Sequence, residues 1–306
     1  MSNDLIRIGT RKSPLAVWQA ELVQKNLEQQ GYRTEMVLMS SEGDIDLVTP
    51  LYAMGVQGVF TKVADTALLN HQVDIAVHSF KDVPIQLAQG LKIAAVLKRD
   101  SPLDILVFKN SADFIHDKMS EAVIATGSIR RNAQWLNQYP NHKIENLRGN
   151  VNTRLQKLAD NAWNGAIFAA AGLERINIRP ENSINLDWML PAPAQGAIAV
   201  ACRQEDNWIV EACKNLNHFE TALCTRIERD FLSQLMGGCS TPIAALAEVV
   251  ENTVILRGNV CNMNGSKKID ITMTQPVELA TNLGVEAANE ILKKGADVLI
   301  KEMKSV

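Results

Sequence analysis

Five arginines stand where a chain could use them to hold an anion. Arg11 follows the first apolar strand pattern, Arg130 and Arg131 follow another in TGSIRR, Arg148 follows a third in LRGNVNTR, and Arg154 lies one turn into the next helix. Each stands near the carboxyl end of an expected strand, where open α/β sheets bind ligands and helix N-termini offer free N–H groups. An arginine in a helix's first turn opposes the helix dipole at a cost of roughly 0.3–1 kcal/mol, so repetition calls for a compensating anion. The planar guanidinium fork binds carboxylate or phosphate at two points. Neither GxxxxGK[ST] nor GxGxxG is present, so a nucleotide is not the default, and a polycarboxylate fits at least as well. Lys81 and Asp82 end a strand pattern at the same edge, in AVHSFKDVP. Neighbours on a strand face opposite ways, so they are not a simple cross-strand pair; alone, they also fit a solvated strand end.

The elements that must position these residues alternate, strand then helix, as in an α/β architecture with mostly parallel sheets. Strand patterns cover residues 5–10, 34–39 and 73–79, then 105–108, 122–126, 144–147 and 166–171. Ser13 and Pro14 read as an N-cap and first-turn proline for a helix ending near Gly31, and a second helix covers 61–70. Between them, SSEGDIDLVTPLYAMGVQGVF is a candidate mobile loop. After LPAPAQGAIAVACR the pattern changes to a helix at 221–235, strands at 244–250 and 254–260, an NMNG turn into 268–273, and a last helix at 277–294.

With 306 residues, 46% apolar and 21% charged, the chain can bury one large or two to three ordinary cores. The start MSNDLIRIGT has neither a basic leader nor an apolar core, and AIFAAAGL is far too short to span a bilayer, so a cytoplasmic location with no membrane partner is expected. A net charge of −3 argues against nucleic acid as a partner. Cysteines 202, 213, 224, 239 and 261 contain no CxxC pair and read as thiols. The five histidines show no i, i+4 pairing and no acidic EF-hand loop is present, so no metal is indicated, and no Ser-His-Asp spacing stands out.

In order and spacing, AVHSFKDVP, TGSIRR, LRGNVNTRLQKL, AAAGLERI, LPAPAQGAIAVACR, LNHFETALCTRIER and GGCSTPI resemble the hydroxymethylbilane synthase (porphobilinogen deaminase) family, from about residue 7 to 243. The resemblance implies two periplasmic-binding-protein-like α/β domains around a cleft, residues 1–98 with 197–217 and residues 102–194, plus a small C-terminal α+β domain at 218–306. It implies a transferase that joins four porphobilinogen molecules head to tail with loss of ammonia and releases linear hydroxymethylbilane. The covalent cofactor would be one dipyrromethane on Cys239, in a GGC loop whose glycines favour an exposed turn. Asp82 would face the pyrrole nitrogens, stabilising the cation left when ammonia departs and helping to move protons. Lys81, Arg11, Arg130, Arg131, Arg148, Arg154 and Arg175 match residues that bind acetate and propionate side chains, while Ser13, Gln19, Ser79, Thr126, Ser128, Asn150 and Gln195 match supporting positions. A monomer that passes its product to uroporphyrinogen-III synthase is expected.

Departures from the family pattern fall in two places. GGKGLF and KELE become GVQGVF and KVAD, putting Gln57 and Val63 at the usual lysine and glutamate, and GTSSLRR becomes ATGSIRR, putting Gly127 at a serine. Other readings remain open from the residues themselves: a solute-binding protein for a dicarboxylate, against which the N-terminus and the GGC loop count, and an effector-binding regulator, which no helix-turn-helix or basic stripe supports.

Overall fold

The computed structural model of the chain describes residues 5–40, 61–236 and 241–304. From the N-terminus come β1 (Leu5–Arg11), α1 (Pro14–Gln29), β2 (Arg33–Met39), α2 (Lys62–Leu69), β3 (Ile75–Ser79) and β4 (Leu91–Val96). Next are β5 (Asp104–Phe108), β6 (Val123–Ala125), α3 (Ile129–Gln138), β7 (Lys143–Glu145), α4 (Val151–Asp160), β8 (Gly165–Ala169), α5 (Ala170–Glu174) and β9 (Ser183–Asn185). Then follow β10 (Ile198–Arg203), α6 (Asn207–Cys213) and α7 (Phe219–Gln234), and finally β11 (Ile243–Val250), β12 (Thr253–Cys261), β13 (Lys268–Pro276), α8 (Leu283–Ile291) and α9 (Asp297–Lys304). Among the described residues, one compact unit holds 5–40, 61–100 and Gly196–Ala222; the other holds Ser101–Gln195 and the chain from Leu223 on.

The first unit is built on a sheet in the order β2-β1-β3-β10-β4. Strands β2, β1 and β3 are parallel, but β10 runs antiparallel to both neighbours, so the sheet is mixed rather than mostly parallel. The reason is that β10 is not fed by a crossover helix: the chain leaves this unit after β4 and re-enters it from the far end. Alternate residues Ile6, Ile8, Ile75 and Val77 bury against Ala20, Val23 and Leu27 of α1, whose 3.6-residue repeat turns them to one face. Each fully buried aliphatic side chain contributes about 1.5–3 kcal/mol relative to exposure, so this face, rather than helix propensity, holds α1 in place.

The second unit contains two sheets. One is ordered β7-β6-β8-β5-β9, parallel at β7-β6-β8 and antiparallel at β5, while β11-β12-β13 is an antiparallel meander. Helices α7 and α8 cover the meander, with Ile227, Phe231, Leu283 and Ala287 among its fully buried residues. The buried Glu228 of α7 ties these parts together, accepting from Ala194 N at 2.6 Å and Ala247 N at 2.8 Å. The expected NMNG turn forms, and Gly265, at φ 73°, also permits a close approach. A Cβ there would lie 2.7 Å from Asn137 N, and Asn137 Nδ2 donates to Gly265 O at 2.8 Å, so the hairpin tip braces α3. The last expected helix, 277–294, is shorter: it starts at Leu283, and Gly295, at φ 100°, breaks the path into α9.

Candidate functional site

In the first unit, the carboxyl ends of β1 and β3 form a recess of about 390 Å³ including its open mouth, lined by Arg11, Ser13, Gln19, His78, Ser79 and Asp82 among others. Ser13 caps α1, accepting from Ala16 N at 3.4 Å. Gln19 Nε2 donates to Ser79 Oγ at 2.9 Å, fixing the helix to the end of β3. Lys81 and Asp82 lie beyond the end of β3 at Ser79, where the 73–79 strand pattern also ends, in a single 3-10 turn, Phe80–Asp82, closed by Val83 N to Phe80 O at 3.2 Å. Phe80 and Val83 are buried and pin that turn, while Lys81 and Asp82 stay half-buried. With three residues per turn, adjacent side chains diverge by about a third of a circle, which explains why opposite charges can be neighbours without pairing across a sheet.

Sequence reasoning passed over His78 as a site residue, yet it lines the same recess, 6% exposed, and its Nε2 has no hydrogen-bond partner. Burial, helped by the charge of Arg11, lowers it to about 4, so the imidazole is neutral. The only signal was a histidine at the end of an apolar run. A second buried imidazole, His142, accepts from Trp135 Nε1 at 3.1 Å and lies 2.9 Å from Ser120 Oγ; burial lowers it too. Groups depressed in the fold contribute stability in full above their unfolded value of 6.5, and lose it as pH falls through the folded value. Thermal midpoints are therefore expected to drop by several degrees between about pH 7 and about pH 4.5. Equal midpoints would mean that neither histidine resists its proton.

The second unit places Arg130 and Arg131 in the first turn of α3, both buried, behind the cap Ser128, which accepts from Arg131 N at 3.4 Å. Thr126 Oγ1 accepts from Ser128 N at 3.2 Å. The anion that offsets these arginines is in the first instance a residue of the chain: Asp104, fully buried at the head of β5. Its Oδ1 accepts from Arg131 Nε at 3.0 Å and Nη2 at 2.7 Å and from Gln195 Nε2 at 2.8 Å, and its Oδ2 lies 2.8 Å from Arg130 Nη2. Burial alone would raise this carboxyl, but the two guanidinium charges hold it well below the usual range. Gly127 has a spatial reason as well: a Cβ there would lie 2.6 Å from Leu147 O, so the loop after β7 closes over this position.

Arg148 and Arg175 are buried in the same unit, and Arg154, in α4, donates from Nε to Gly149 O at 2.8 Å. Asn150 caps α4, accepting from Thr153 N at 2.9 Å. Thus Ser13, Ser128 and Asn150 all serve as helix caps, each leaving free N–H groups at a helix start. Cys239 and Gln57 lie outside the described residues. Cysteines 202, 213, 224 and 261 are buried, and burial pushes the Cys213 and Cys261 thiols up to about 12. Among the described residues, no helix is long and apolar enough to cross a membrane.

Solved structures similar to this chain include the periplasmic VFT2 domain of BvgS from Bordetella pertussis, at 11% identity, covering 72% of this chain and 91% of that one with a TM-score of 0.43. Another is a probable amino-acid ABC transporter extracellular-binding protein from Bacillus subtilis, at 14% identity, 69% and 90% coverage and a TM-score of 0.44. Likenesses at these levels say nothing of function. Two family models are decisive by contrast. Residues 6–211 match "Porphobilinogen deaminase, dipyromethane cofactor binding domain", which reaches from β1 into α6 and so holds the recess and the arginine cluster. Residues 222–293 match "Porphobilinogen deaminase, C-terminal domain", so that nearly the whole chain is accounted for, and the chain belongs to the porphobilinogen deaminase family.

Proposed function

We propose that the recess around Asp82 is where this chain carries out its family's reaction. As a porphobilinogen deaminase the chain is a transferase that joins four porphobilinogen molecules head to tail with loss of ammonia and releases linear hydroxymethylbilane. The observation that carries the site assignment is the gathering of Arg11, Ser13, Gln19, Ser79 and Asp82 at the ends of two parallel strands. Asp82 accepts the N–H of a substrate pyrrole and opposes the positive charge that grows as ammonia leaves. Lys81 and Arg11 meet substrate carboxylates, and the Gln19–Ser79 bond keeps the floor rigid.

The dipyrromethane cofactor, when bound, supplies the pyrrole carbon onto which substrate units are joined. The residues present fit such a group. A carboxylate suits pyrrole N–H donors, and the guanidinium groups of Arg130, Arg131, Arg148, Arg154 and Arg175 suit acidic side chains. Arg130 Nε, buried and without a hydrogen-bond partner, is the kind of donor a bound carboxylate would satisfy. Cys239 is the attachment residue; the high thiol values of Cys213 and Cys261 support the choice, because only a thiolate attacks readily. Residues 1–98 with 197–217, 102–194 and 218–306 act as three domains, a reading supported by one sheet in each range. The chain works as a monomer in the cytoplasm, takes no metal or nucleic acid, and hands its product to uroporphyrinogen-III synthase.

Arg11→Leu and Arg148→Leu test the carboxylate reading. Each is expected to lower kcat/KM by about tenfold or more, or to leave protein without its primer, because a ligand carboxylate loses a charged partner worth about 1.5–3 kcal/mol. Wild-type kinetics and full primer mass in both would overturn it.

A further inference from the structure

The structure assigns Asp104 a role in the reaction as a positioning residue: its buried carboxylate fixes the guanidinium groups of Arg130 and Arg131 and the amide of Gln195 in the arrangement that receives a ligand carboxylate. This rests on the carboxylate-binding reading of the arginines. Asp104 is 0% exposed, and the three side chains that converge on it come from α3 and from residue 195, far apart in sequence. Arg131 spends Nε and Nη2 on Asp104 and Nη1 on Ile167 O at 3.0 Å, which locks its plane against β8. Arg130 holds Asp104 with Nη2 and Leu190 O with Nη1 at 2.6 Å.

Charge separates this arrangement from an ordinary structural ion pair. Two buried cations share one buried anion, and among the described residues no other carboxylate reaches either guanidinium. An excess buried positive charge is costly unless an anion comes to it. The orphaned Nε of Arg130 is a donor left over in the same place. Asp104 therefore does two things: it reduces a repulsive pair to one net positive charge, and it aims the donors that remain. One ligand carboxylate completes the balance.

The test uses purified full-length enzyme. Asp104→Glu keeps the charge but lengthens the arm, so charge balance survives while the guanidinium groups shift. KM for porphobilinogen is expected to rise about tenfold or more with kcat changed less, since misplacement of about 1 Å can cost as much as 100-fold. In a double-mutant cycle, Asp104→Asn and Arg130→Leu should be non-additive, the double variant being about as impaired as Arg130→Leu alone. A folded Asp104 variant with wild-type KM and full primer mass, or losses that multiply in full, would overturn the inference. Should neither Asp104 variant accumulate folded, Gln195→Leu decides, since it removes one bond to the same carboxylate and spares both ion pairs: a KM raised several-fold supports the role, and a wild-type KM refutes it. Arg130→Leu with wild-type kinetics and primer would instead remove the carboxylate reading beneath it.

Discussion

Protein carrying Cys239→Ser is expected to have the mass of its sequence alone and turnover lower by a factor on the order of 10³ or more, while the wild type is heavier by one dipyrromethane. The reason is chemical. A thiol is a few per cent thiolate at neutral pH when exposed, whereas a serine hydroxyl needs an adjacent base to become a nucleophile. Cys213 and Cys261 are poor substitutes for Cys239, with their thiols pushed up to about 12 by burial. Intact mass on both proteins, followed by turnover, is a direct measurement. An unmodified wild type with full activity would sink the attachment, and a Ser variant that still carried the extra mass would move it to another residue.

What could be read from sequence was whatever depends on neighbours in the chain. Ser13 and Pro14 announce α1, because capping acts over three residues, whereas Ser128 and Asn150 enter from the sequence only as positions matched by the resemblance and prove to cap α3 and α4. The NMNG turn is legible for the same reason, since Gly265 must reach positive φ. What escaped depends on distance. Arg130 and Arg131 visibly oppose a helix dipole, but their partner Asp104 precedes them by two strands, β5 and β6, and the loops that follow them, and nothing nearby distinguishes it from an ordinary strand-leading acid. The antiparallel β10 escaped because AIAVACR reads equally well as any buried run, and its direction is set by where the chain re-enters the first unit. His78 hid in plain view: alternation puts it on a strand, but only the assembled recess shows that its Nε2 meets no partner.

Asp82→Asn is expected to leave binding largely intact and to remove most of the turnover. Asparagine matches aspartate in size, so Phe80 and Val83 still pin the turn and the half-buried side chain still reaches the recess. Its carbonyl still accepts one hydrogen bond. What disappears is the negative charge, and on the proposed roles that charge acts only when the aminomethyl group has lost ammonia and the pyrrole is cationic, whereas the arginines would hold substrate carboxylates throughout. An interaction made only in the transition state lowers kcat and leaves KM nearly alone. A fixed charge beside a developing cation in a shielded site is worth about 3–4 kcal/mol, so kcat is expected to fall by about 10²-fold or more. Single-turnover measurement with primer-loaded Asp82→Asn separates the steps. Slow ammonia release from the first bound substrate, with near-normal affinity, supports the role. Ammonia release at the wild-type rate would return Asp82 to the solvated strand-end charge that AVHSFKDVP suggests when read alone.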